Sequence, residues 1–347
     1  MERNTQMKRA PVWLLLLATF ASLLGLVLPL LCAVAPALWA AALIRKNRGA
    51  SVALPALPFV LSGLLYALMQ GAEGARDSLI SLLCLSALGT VPAFAIVRVQ
   101  TRKKGGFYTA AAAGGLCALF LYLALCLPGV LSGAGAFAAV QQSTAELGEL
   151  FLAILSQVPK TERSAAVMET FTLLFEALPG QIPALLVSWV LQTGCFMGLS
   201  NTLLFRLLVR KEREELGLTP MKRFSEWGVP REFTVGLVVL LLGSILLTML
   251  ETEYAQGVSA AVTAVVSFPL LVQALAVVDF FLLRKPANLA VKRTLIYLAS
   301  GFLLMMGMQS VFIMIGCFEQ VFRIREKADM IDRYRQKPPQ TGPGGPR

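Results

Sequence analysis

Of the 347 residues, 56% are apolar and only 15% are charged, against about a quarter charged in water-soluble domains. So little polar surface cannot face water on every side, which excludes a soluble globular protein. The chain has no histidine, which removes Ser-His-Asp and Cys-His catalysis, His-ligated zinc or haem and imidazole proton relays. It carries no GxxxxGK[ST] phosphate loop either.

Apolar residues instead gather in blocks of roughly 16–27, enough to cross ~30 Å of hydrocarbon. The first block, 11–28, follows the basic Arg3, Lys8 and Arg9. No small-residue cleavage site closes it and more spans follow, so it reads as a retained span and not as a signal peptide. A shorter segment, 29–44, ends in Arg45-Lys46-Asn47-Arg48. Spans then follow at 52–69, 79–97 and 107–127. The connection 136–180 is amphipathic: Leu147, Leu150, Phe151, Ile154, Leu155 and Val158 share one helix face, as do Val167, Phe171, Leu174, Phe175 and Leu178 before a Pro179-Gly180 break. These two helices are expected as a packed hairpin at the outer surface, with a mobile lid as the alternative. Spans resume at 182–208, 233–250, 258–283 and 295–315, giving nine candidates. Residues 337–347, rich in proline and glycine, cannot build a core and are expected to be disordered. No repeat marks two inverted transporter halves. The six cysteines, Cys32, Cys84, Cys117, Cys126, Cys195 and Cys317, lie in or at the ends of apolar segments and form no CxxC. They read as small buried hydrophobes.

Charge sets the orientation, because Lys and Arg collect on the cytoplasmic side. With the N-terminus inside, cytoplasmic segments hold 21 of the 31 Lys and Arg, and the outside loops hold only Arg76, Lys160 and Arg163. Those outside loops carry nine acids, Glu73, Asp77, Glu146, Glu149, Glu162, Glu169, Glu176, Glu251 and Glu253. The net charge of +11 is thus a topology signal, and no nucleic-acid partner is expected. A ninth crossing breaks the pattern, leaving outside the seven basic residues from Arg323 to Arg347. Either the tail is an exception, or one late segment dips in without crossing.

Polar groups inside hydrocarbon are costly and mark candidate sites. Asp279 in Val-Val-Asp-Phe-Phe and Arg206 in Leu-Phe-Arg-Leu-Leu sit at similar depth, a candidate ion pair; the alternative is that each snorkels separately. Gln192-Thr193, Asn201, Gln273 and Gln309-Ser310 lie deeper. Of these, Gln273, Gln192 and Asn201 are candidate ligand-binding residues, and Gln273 follows Pro269, which frees the Val265 carbonyl to line the same strip. The alternative is that such amides join helices. Ala33, Ala37 and Ala41 line one face of the second segment, fit for close contact within the chain or with a partner. The string Met221–Arg231 holds Phe224, Glu226, Trp227 and Pro230, an interfacial motif whose proline starts the next span. No catalytic residue, metal ligand or cofactor is expected.

Phe224-Ser225-Glu226-Trp227-Gly228-Val229-Pro230 resembles a string in the YybS-like bacterial membrane proteins, a family of unknown function. Gln273-Ala274-Leu275-Ala276-Val277-Val278 is similar to that family's penultimate-span pattern. Ile315-Gly316-Cys317-Phe318-Glu319-Gln320-Val321-Phe322-Arg323 resembles its closing run. That family is in turn similar to the substrate-binding S components of energy-coupling-factor transporters, a likeness resting on the early spans around Pro55 and Pro58. It implies ATPase and coupling subunits as partners, met through small residues on the first helix; Ala18/Ser22 and Ala21/Gly25 are the pairs this chain offers there.

The resulting expectation is an all-α polytopic transmembrane bundle of about eight or nine spans. Residues 1–336 form a single integral membrane domain, and the tail 337–347 follows. The chain is expected in the bacterial plasma membrane, in contact with the lipid bilayer, with its N-terminus cytoplasmic. Function is expected to be non-enzymatic: a small-molecule-binding transporter component or, alternatively, a structural or regulatory membrane scaffold.

Overall fold

A computed structural model describes residues 11–26, 28, 31, 33–45, 54–68, 75–102, 105–157, 162–218, 223–250, 255–284, 291, 294 and 309–336. Every regular element among them is helical: α1 Val12–Gly25, α2 Ala35–Ile44, α3 Leu57–Leu68, α4 Ala75–Thr101, α5 Gly106–Leu131, α6 Ala138–Ser156, α7 Glu162–Leu208, α8 Arg231–Met249, α9 Ala255–Leu283, α10 Gln309–Phe322 and α11 Ile324–Gln336. The protein is an all-α polytopic membrane bundle. Five helices are long and apolar enough to cross a membrane, over Arg76–Thr101, Gly106–Leu131, Val167–Leu208, Arg231–Met249 and Gly257–Leu282. Four of the nine expected segments meet shorter apolar helices. The second is helical for only ten residues, about 15 Å, half of what a crossing needs. Most of the segment 295–315 and the whole tail 337–347 lie outside the described residues.

The described chain divides into two compact units, Met1–Met221 with Ser244–Val265, and Lys222–Gly243 with Val266–Arg347. In the first, α2 is enclosed by α1, α4 and α7, and Trp39 at its middle is fully buried. The Trp39 indole donates to Ser22 Oγ of α1 at 2.8 Å. Ala33, Ala37 and Ala41 are buried here too, so the small-residue face of the second segment meets this chain's own helices.

A second small-residue contact joins α5 to α7. A Cβ on Gly114 would stand 2.9 Å from the Gly194 carbonyl, and one on Gly198 would fall on Gly114 and the Ala110 carbonyl. Only glycine lets the two backbones approach this closely. At its far end α5 stops in a turn where Gly133 and Gly135 take φ of +78° and +108°, values that side-chain-bearing residues avoid.

The expected Pro179-Gly180 break does not occur. Helix α7 runs unbroken for 47 residues through Pro179 and Pro183, about 70 Å. Pro183 lacks the N–H that would bond the Pro179 carbonyl, and Gln141 Nε2 of α6 donates to that carbonyl instead, at 3.2 Å. Helix α6 packs on this part of α7 as a hairpin, with Phe151 ring centroids 5.0 Å from Phe171 and 5.8 Å from Phe175. The two expected apolar faces divide: these phenylalanines meet, while Leu147, Leu150, Ile154 and Leu174 stay exposed. The cysteines also differ from expectation. Cys117 and Cys126 are buried, Cys84 and Cys195 half-buried and Cys317 exposed.

Candidate functional site

A dense polar cluster lies in the second unit, and it draws on the three strings singled out above. Gln273 of α9 is 3% exposed. Its Oε1 accepts the Val229 N–H at 3.0 Å and Gln320 Nε2 at 2.6 Å. Its Nε2 points to the Gly316 carbonyl at 3.5 Å. Gln320 Nε2 also donates to the Val229 carbonyl at 3.1 Å, and Gln320 Oε1 accepts from Thr234 Oγ1 at 3.1 Å. The backbone of Val229, an apolar loop residue, is thereby served by two glutamines from two helices. Close approach makes this feasible: a Cβ on Gly316 would fall on the Leu270 carbonyl. Pro230 does what its position suggests, its carbonyl accepting the Phe233 and Thr234 N–H groups at 3.0 and 3.1 Å to open α8.

The corner between α10 and α11 completes the cluster. Arg323 takes φ of +49°, a left-handed conformation costing about 1–2 kcal/mol for a non-glycine residue. Glu319 holds the turn. Its Oε1 accepts Arg325 Nε at 2.7 Å and its Oε2 the Arg325 backbone N–H at 3.3 Å, satisfying one of the open donors at the start of α11. Arg325 Nη1 then donates to the Ser225 and Trp227 carbonyls at 2.6 and 2.8 Å. This one guanidinium ties the loop before α8 to the end of α10. Arg284, at the end of α9, reaches Asp329 at 2.7 Å and Asp332 at 3.2 Å on α11 and stacks on Phe280.

Within the interfacial motif, Phe224 and Trp227 meet edge to face at 5.4 Å. Ser225 is buried and Glu226 is exposed.

In the first unit Asn201 is fully buried. Its Oδ1 accepts the Ala37 N–H at 2.8 Å and its Nδ2 donates to the Met197 carbonyl at 2.8 Å. Ala37 is the third residue of α2, and such first-turn N–H groups have no partner inside their own helix. Asn201 therefore caps α2 from α7. Gln192 stands nine residues earlier on α7, about half a turn out of phase, and is exposed. It does not share a site with Asn201. Arg206 donates from Nη2 to Gln100 Oε1 at 3.5 Å. Asp279, buried in α9, belongs to the other unit.

Sequence reasoning assigned no role to Gln320, Thr234, Glu319 or Arg325, although Glu319 and Gln320 stand in the closing string. A signal existed for two of them, since Glu319 and Gln320 are adjacent polar residues inside an apolar helix. Arg325 lies beyond that helix and gave none. As chemistry, the cluster holds amides, carbonyls, one hydroxyl and one ion pair, each engaged with another. It is suited to joining chain segments.

A family described as predicted membrane protein (DUF2232) matches residues 11–318. The chain belongs to this family. No curated protein and no solved structure matches it. The DUF2232 match takes in the first two strings and ends at Phe318, so in this DUF2232 protein Glu319, Gln320 and Arg325 lie just past the shared region.

Proposed function

We propose that this DUF2232 protein is a non-enzymatic, multipass protein of the bacterial plasma membrane that acts as a structural or regulatory scaffold. One observation carries the reading. The buried amides best placed to receive a ligand, Gln273 and Asn201, spend their hydrogen bonds on Val229, Gln320, Gly316, Ala37 and Met197. Amides committed in this way join helices and are not free to recognise a solute.

The transporter-component reading, to which the YybS-like resemblance and its likeness to S components belong, finds less support. The small pair Ala18/Ser22 on α1, a face for a coupling subunit, is buried in this chain, with Ser22 bonded to Trp39.

The basic end of the protein belongs in the cytoplasm. Arg325 bonded to Ser225 and Trp227, and Arg284 bonded to Asp329, keep α11 level with the loop before α8 and the end of α9. Grouping the seven basic residues from Arg323 onward with the other 21 assigns 28 of 31 Lys and Arg to one side. That is the cytoplasmic side by the charge rule. On this reading the tail is no exception to the charge rule.

The scaffold reading is tested by thermal unfolding of the purified full chain against a panel of vitamins and other small polar solutes. A scaffold has no solute pocket at its buried amides to saturate, so no phosphate-free solute is expected to raise Tm. A saturable rise that Gln273→Leu abolishes would return the transporter reading, as would co-purification of an ATPase pair.

A further inference from the structure

Arg206 and Arg213 stand seven residues apart, at the end of α7 and in the turn beyond it, and the charge of one acts on the other. The Nε–H of each is buried without a hydrogen-bond partner. A buried donor on a charged group is expensive to leave unmatched, and two of like sign make the position worse. Of the two acids flanking Arg213 in sequence, Glu214 is exposed and Glu212 is already engaged, its two oxygens taking N–H groups of Arg45 at 2.7 and 3.3 Å. Arg206 has a neutral partner in Gln100 Oε1 at 3.5 Å, and Gln100 in turn donates to Thr109 Oγ1 at 2.6 Å.

The Arg206 guanidinium carbon also lies 3.4 Å from where a Cβ on Gly106 would stand. It therefore sits against the start of α5, where the N-cap Gly105 supplies no side chain and the helix dipole adds positive potential. The Arg206 guanidinium thus meets a helix end while the Arg213 charge acts on it, and no carboxylate among the described residues bonds to either arginine.

We infer that Arg206 and Arg213 form a binding site for a phosphate-bearing anion at this end of the first unit. A phosphate group presents several oxygens, enough to accept both Nε–H groups at once, and guanidinium–phosphate bonds are among the stronger charge-assisted ones. The position suits it, because basic sites between transmembrane helices on the cytoplasmic side take up acidic lipid head groups. The phosphate belongs to such a head group or to a soluble phosphate compound. The site shares no residue with the Gln273 and Asn201 bonds and does not rest on the scaffold reading.

The test is thermal unfolding of the purified full chain in non-ionic detergent with two probes, inorganic phosphate and short-chain phosphatidylglycerol. At least one is expected to raise Tm saturably. The half-saturating concentration should rise roughly tenfold or more in Arg206→Lys, which keeps the charge and loses the Nε–H, and in Arg213→Gln. It should not move in Arg284→Gln, whose partners are Asp329 and Asp332. A response to phosphate alone identifies a soluble compound; a response to phosphatidylglycerol alone identifies a head group. No response from the unmodified protein, or equal responses from all variants, overturns the site. So does non-additive stability of Arg206→Gln with Asp279→Asn, since Arg206 would then have a carboxylate of its own. If the arginine variants do not fold, phosphorus analysis of the unmodified protein after exhaustive detergent exchange decides: retained phosphorus supports the site and none overturns it.

Discussion

Replacing Arg325 by Gln removes three side-chain bonds at once, one to Glu319 and one each to the Ser225 and Trp227 carbonyls. Glu319 is 7% exposed and Arg325 14%, so water screens the pair little. Losing one partner of a buried pair typically costs about 3–5 kcal/mol, because the remaining charge is stranded. The corner lies at a helix end, and Glu319 keeps the backbone N–H of residue 325, so about 3 kcal/mol is expected. Glu319→Gln should cost less, about 1–2 kcal/mol, since the amide oxygen still accepts and Arg325 retains two carbonyls. With both changes the stranded charges disappear, and the combined loss should fall short of the sum by at least about 1 kcal/mol. Equilibrium unfolding of the four proteins in detergent, followed by circular dichroism, measures each term. Tryptic cleavage at Arg223 should quicken in Arg325→Gln as its loop comes loose. If Arg325→Gln stays within about 0.5 kcal/mol of the parent, or the two losses simply add, Arg325 does not clamp the corner.

Three further outcomes follow from single contacts. Gly198→Val should destabilise by about 1–3 kcal/mol or more through overpacking against Ala110 and Gly114, whereas Gly236→Val, with nothing within 4 Å of its Cβ, should be near neutral; the same unfolding assay compares them. Asn201→Ala leaves the Ala37 N–H without its acceptor and should cost about 1–3 kcal/mol. Gln141→Ala should cost about 1 kcal/mol in the parent and close to nothing in a Pro183→Ala background, where residue 183 regains the N–H that bonds the Pro179 carbonyl; equal costs in both backgrounds would deny Gln141 that role.

Apolar block length was enough to read the membrane class and the spans of α4, α5, α8 and α9, because crossing hydrocarbon demands a run that composition cannot hide. Proline was misread at Pro179. Its effect depends on whether some other group takes the freed carbonyl, and that group, Gln141, comes from a different helix. The second segment ran apolar for longer than its ten-residue helix, since hydropathy cannot separate a spanning helix from one enclosed by neighbours. In the candidate site, Gln273 and the Phe224–Pro230 string were legible one by one. Their union was not, because Val229, Gln273 and Gln320 lie 44 to 91 positions apart and nothing local in sequence encodes that meeting. The Gly194/Gly198 pair carried a readable small-residue spacing, yet its mate around Gly114 could be assigned only from the packing of α5 on α7.

The account turns on α11 sharing the cytoplasmic side with the other basic segments, and cysteine accessibility in sealed spheroplasts measures this directly. In a cysteine-free background, Gln142→Cys on α6, Glu214→Cys after α7 and Met330→Cys on α11 are each treated with a membrane-impermeant maleimide; all three positions are exposed. Immediate labelling is expected at position 142, and labelling at 214 and 330 only after permeabilisation. Labelling at 330 in sealed spheroplasts while 214 stays protected would put α11 outside and contradict the cytoplasmic placement argued from the Arg325 and Arg284 bonds.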